Sequence, residues 1–69
     1  MITEVIQKTK FFFDKNEFVH LVTHGGTFYN GTIVKLDGDI MIFADRFIGD
    51  VPVGISEIKK IEKFTEKGK

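Results

Sequence analysis

The segment from Gly31 to Asp45 restricts this chain more than any other. Thr32 to Leu36 and Ile40 to Ala44 are rich in β-branched and apolar residues, and Asp37 and Gly38 between them form a turn pair. The segment therefore reads as two antiparallel strands joined by a tight turn. Gly31 stands where a missing side chain permits a sharp bend or a bulge in the strand. In a chain of 69 residues, a bent strand followed by a short apolar one points to a small, strongly curved β-barrel.

The flanking sequence fits around that hairpin. From Ile2 to Phe13, the residues Ile2, Val5, Ile6, Phe12 and Phe13 fall on one side of a helix, and Glu4 suits a first turn. Thr9 and the Phe11 to Phe13 run lower the helix propensity of the same stretch. Residues 1–15 are thus expected to be a helix and its linker. Val19 and Leu21 alternate with His20 and Val22 in a first strand over 17–24, closed by a Gly25-Gly26 turn that needs positive φ. Strands two and three are expected over 27–36 and 39–45. A fourth spans 51–55, with Pro52 inside it, and because proline offers no ladder donor its nitrogen must face outward or stay unpaired. Ser56 and Glu57 make a kink before a fifth strand over 58–64, and 65–69 is a polar tail. The expected architecture is mainly β. An N-terminal helix precedes a five-stranded, strongly bent antiparallel sheet over 17–64, which closes into a small SH3-like barrel.

A chain this short leaves much of its surface wet when folded. It has no cysteine, so neither disulfides nor thiolate zinc sites supply stability, and a reducing, cytoplasmic location is the expectation. No apolar run approaches a membrane span, and the N-terminal residues lack a signal-peptide pattern. Apolar residues make up 42% of the chain and eight of its residues are Phe. Part of that surface is expected to meet another subunit. Ten basic residues balance ten acidic ones, so any affinity for nucleic acid has to arise from local geometry.

Catalytic constellations are missing. Ser56 is the only serine and has no histidine near it in sequence. Asp37 and Asp39 are ordinary turn carboxylates, and Gly25-Gly26 is not followed by the lysine and helix of a phosphate-binding loop. His20 and His24, four apart on the first strand, are expected on one face of it about 13 Å apart, too far to share a metal. A non-catalytic protein with no cofactor and no metal is the expectation.

Val19, Leu21, the Gly25-Gly26 turn, Gly31, Ile33, Leu36, Asp37, Ile40, Ile42 and Asp45 together resemble the first motif of the Sm-like family. The sequence Ile55-Ser56-Glu57-Ile58 is similar to the kink between the last two strands of its Hfq branch. The resemblance spans residues 2–64 and implies a homo-oligomeric ring of about five to seven subunits, in which the fourth strand of one copy pairs with the fifth of the next. Val51, Val53, Ile55, Ile58 and Ile61 are then the candidate interface residues, although strand alternation sends about half of such a set into the monomer's own core. The resemblance also implies single-stranded RNA as a partner, bound in a pocket of stacking, asparagine and basic side chains. Here those positions fall at Asp39, Met41 and Val53 or Gly54, so the pocket residues are not retained. Asp37 is retained and serves equally well as a turn carboxylate. Alternative RNA contacts are Lys8, Lys10 and Lys15, Lys59, Lys60 and Lys63, and the stacking surfaces of Phe11, Tyr29 and Arg46. The competing reading is a ring-forming scaffold that binds another protein and no RNA.

Overall fold

A computed structural model describes the backbone of residues 2–65 and the side chains of residues 4–65. Helix α1 (Ile2–Lys15) precedes five strands, β1 (Val19–Thr23), β2 (Phe28–Asp37), β3 (Ile40–Asp45), β4 (Gly49–Gly54) and β5 (Ile58–Lys63). A 3₁₀ turn, Ile55–Glu57, separates β4 from β5 where the kink at Ser56 and Glu57 was expected. No helix among the described residues is long and apolar enough to cross a membrane.

The helix forms on a face of Val5, Thr9 and Phe12, with Ile6 and Phe13 beside it, at helical spacing. Thr9, which weakens helix propensity, is fully buried. Its hydroxyl donates to the Val5 carbonyl at 2.7 Å, so the buried polar atom is satisfied within the helix itself. Glu4 near the start and Lys15 near the end complement the helix dipole. The helix stops at Asn16, which takes a left-handed φ of 54° while its N–H donates to the Phe13 carbonyl.

The strands form one antiparallel sheet in the order β4-β3-β2-β1-β5. Strand alternation divides it into two faces. Val19 and Leu21, Ile33, Met41 and Phe43, and Val53 point inward with Ile55, Ile58, Ile61 and Phe12 to make the core, which α1 covers. The sheet does not close on itself. Strands β4 and β5 are its two edges, so the closed barrel expected from the sequence is not formed within the chain.

Gly31 and the bulge have separate causes. A Cβ at Gly31 would collide with the Ala44 carbonyl oxygen of β3, so glycine is required for the close approach of two strands. The bulge itself lies three residues on, where the β2–β3 register slips between Ile33 and Lys35 and leaves Val34 exposed. The Asp37-Gly38 turn is as expected, with Gly38 at φ 65°. His24 lies in the turn beyond β1 rather than on the strand with His20.

Candidate functional site

The outward face of the sheet carries what the core does not use. His20 pairs across the ladder with Asn30 on one side and Glu62 on the other, and the Arg46 N–H donates to the Asn30 carbonyl. A row of Glu62, His20, Asn30 and Arg46 therefore crosses the sheet. Nδ1 of His20 and Oδ1 of Asn30 lie 2.7 Å apart, within hydrogen-bond distance. Beside the row, the rings of Phe18 and Phe64 meet edge to face at 5.1 Å, and Phe28 lies 5.8 Å from the His20 ring.

Arg46 joins these aromatics. Its guanidinium lies 4.9 Å from the centre of the Phe47 ring and 5.3 Å from that of Phe64, within cation–π range of both. Among the described residues it makes no ion pair. Phe47 is 80% exposed and Phe28 is 65% exposed. Large rings left in water on a protein surface mark an interaction site more often than an isolated exposed Leu does. A hollow of about 320 Å³ adjoins the patch, lined by His20, Asn30, Glu62, Lys63, Phe64 and Thr65.

One carboxylate holds the arginine turn in place. Asp45 is buried at the end of β3 and accepts hydrogen bonds from three backbone N–H groups, Asn30 and Phe47 at 2.9 Å and Ile48 at 3.1 Å. Burial by itself pushes this carboxyl up. The three N–H donors and the neighbouring Arg46 charge outweigh that effect and hold it below the ordinary value of 3.8. The charged form of Asp45 thus ties β2 to the turn that presents Arg46 and Phe47.

The residues singled out from the sequence are not gathered in one place. Arg46 is in the outward patch. Tyr29 points the other way and packs its half-buried ring 6.2 Å from Phe43. Lys8 and Lys10 lie on α1, on the core side of the sheet, with Phe11 exposed and the Lys15 ammonium 5.7 Å over its ring. Lys59 and Lys60 are exposed on β5, and Lys60 pairs with Glu62 at 3.7 Å, a contact worth little at a wet surface. The Asp37 carboxylate is exposed and accepts no hydrogen bond among the described residues.

The expected interface residues are placed just as unevenly. Val53, Ile55, Ile58 and Ile61 are buried in the chain's own core and Val51 packs against it. What β4 and β5 leave for a neighbour is backbone. Met41, which the resemblance would set at an asparagine position, is a fully buried core side chain. Asp39 instead borders a cleft of about 640 Å³ between α1, the β2–β3 turn and the 3₁₀ turn, with Ile6, Leu36 and Ile55 among its walls and Lys10 also on its lining.

Compared with known proteins, the chain matches no protein-family model, no curated protein and no solved structure. Its likeness to the Sm-like family therefore stands on the motif residues alone.

Proposed function

We propose that the chain is a non-catalytic, ring-forming protein of Sm-like type that takes single-stranded RNA on the outward face of its sheet. The array of Phe47 and Phe64 under Arg46, with Phe18 against Phe64 and Phe28 against His20, carries this reading. Exposed rings stack on any base, and a guanidinium adds both cation–π contact and phosphate attraction. The row of His20 and Asn30 offers polar groups next to the rings for base edges. The family's uridine pocket is not the site, because Asp39 has no stacking plane and Met41 is buried in the core.

Two unpaired edges support the ring. A sheet whose first and last strands both lack a neighbour among the described residues can add a strand at either side, and copies joined edge to edge close into a ring when the rotation between them allows. Repetition around the ring would multiply a patch that is small on one protomer. The same exposed Phe47 and Ile48 would serve the second reading, a scaffold ring that docks a protein on an apolar knob.

Fluorescence anisotropy with a labelled single-stranded RNA of mixed sequence tests the first reading. Binding that weakens with added salt and is lost on Phe47→Ala supports it. An intact ring that ignores RNA at low salt overturns it in favour of the scaffold.

A further inference from the structure

The two edges of the sheet differ in what they offer a neighbour. The Ile55 N–H donates to the Asp39 carbonyl at 2.8 Å, in register with the β3–β4 pairs. Hydrogen-bonded and non-bonded pairs alternate in an antiparallel ladder. Val53, Val51 and Gly49 therefore turn their backbone groups toward β3, and Asp50, Pro52 and Gly54 turn theirs outward. Pro52 sits at the centre of that free edge, exposed, with a carbonyl to accept but no N–H to donate.

The same alternation applies to β5. The Phe64 N–H donates to the Phe18 carbonyl at 2.9 Å, so Lys60 and Glu62 bond to β1, while Ile61 and Lys63 turn N–H and C=O outward. This edge has its full set of donors. Its exposed side chains are Lys59, Lys60, Lys63 and Glu62, whereas Asp50 is the one charged side chain of β4.

Three pairings are open to two copies. In a β4·β4 ladder both prolines withhold a donor, and in the register centred on Pro52 the two gaps face each other. A β5·β5 ladder sets side by side two strands that each carry three lysines against the single Glu62; centred on Ile61 it faces Lys59 with Lys63, and the surplus of like charge destabilises the pair. A β4·β5 ladder loses one donor only and brings Asp50 toward the lysine-rich edge. We propose that Pro52 and the β5 lysines are the specificity determinants that make each edge reject its own kind, so that a second copy of this chain docks head to tail. This rests on the ring reading above and adds which residues forbid the competing assemblies.

Native mass spectrometry over a dilution series of the full chain tests it, with Pro52→Val and Pro52→Ala. Both restore the missing N–H at an exposed, extended position that the core does not touch, and circular dichroism checks that the fold is kept. The expected result is a dimer whose formation constant rises about tenfold or more over wild type. Its amide protons at Asp50, residue 52 and Gly54 are protected from exchange, while those of Ile61 and Lys63 exchange freely. Neither variant gaining such a dimer, with the ring intact, overturns the role of Pro52 and leaves the ring standing. A wild-type chain that stays at 7.9 kDa overturns the ring. In that case the protected dimer in the variants still supports the edge block, and its absence overturns it.

Discussion

Two faces of one sheet, built from the same strands, have opposite fates. Inward, Leu21, Met41 and Phe43 are fully buried in the core. Outward, Phe18, Phe28 and the adjacent turn residue Phe47 are left in water, with Arg46 bridging two rings. Both sets are apolar, so hydrophobicity does not separate them. Strand parity and the position of the helix do. A small domain has one helix to cover one face, and aromatic residues placed on the other face are available for a ligand or a neighbour.

The sharpest way to break this contrast is to truncate one phenylalanine from each side. Phe43→Ala is expected to cost about 3–5 kcal/mol, which in so small a domain is enough to abolish folding. Phe47→Ala is expected to leave stability within about 0.5 kcal/mol of wild type, while removing RNA binding. Urea denaturation followed by circular dichroism measures the first effect and anisotropy the second. Equal destabilisation by both would mean that Phe47 is a structural residue and the outward patch is no platform.

Asp45 lies where the faces meet, and its removal should damage both by a smaller amount. Asp45→Ala strands three N–H groups and is expected to cost about 1–3 kcal/mol, with loss of order in the Arg46–Phe47 turn. The pH dependence follows from the lowered folded-state pKa. The stabilisation is fully present above the unfolded value of about 4 and fades as pH falls through the lower folded value. Thermal unfolding between pH 2 and pH 6 should show a wild-type loss of stability in acid that Asp45→Ala lacks in part. Parallel profiles for the two proteins would remove Asp45 as the brace.

Much of the fold was legible in the sequence because its signals are local. The turn glycines, the alternation of Val19 and Leu21 with His20 and Val22, and the helical spacing of Val5, Ile6, Phe12 and Phe13 each act within a few residues. The helix, the five strands and the kink at Ser56 and Glu57 followed from them, with boundaries shifted by a few residues. Closure was not legible. Whether β4 meets β5 depends on accumulated twist and on what neighbours the sheet has, and no short pattern encodes it. Gly31 illustrates a partial reading, since the need for glycine was visible but its cause, the Ala44 carbonyl across the ladder, was not.

The candidate site was less legible for the same reason. Of its members, Arg46 was picked out as a stacking surface, while His20 was weighed only against His24. Parity alone would have set Phe18 and His20 opposite Val19 and Leu21. The meeting of Arg46 with Phe64, far apart in sequence, depends on β1, β2 and β5 lying side by side. Tyr29 shows the converse, an aromatic whose type suggested stacking and whose strand position commits it to Phe43.

The smallest effect expected separates charge from ring within the outward face itself. Arg46→Gln keeps a planar, hydrogen-bonding end over Phe47 and Phe64 but removes the cation. Stability should stay within about 0.5 kcal/mol, and RNA affinity at low salt should fall several-fold, with the slope of log affinity against log salt shallower by about 0.7 for each arginine engaged. Anisotropy titrations at four or five salt concentrations read both quantities. An unchanged slope with reduced affinity would assign Arg46 to stacking alone, as a lid over Phe47 and Phe64, and would move the phosphate contacts to Lys63 beside the hollow. A changed slope with Phe47→Ala still binding would instead make the face an electrostatic surface on which the rings play no part.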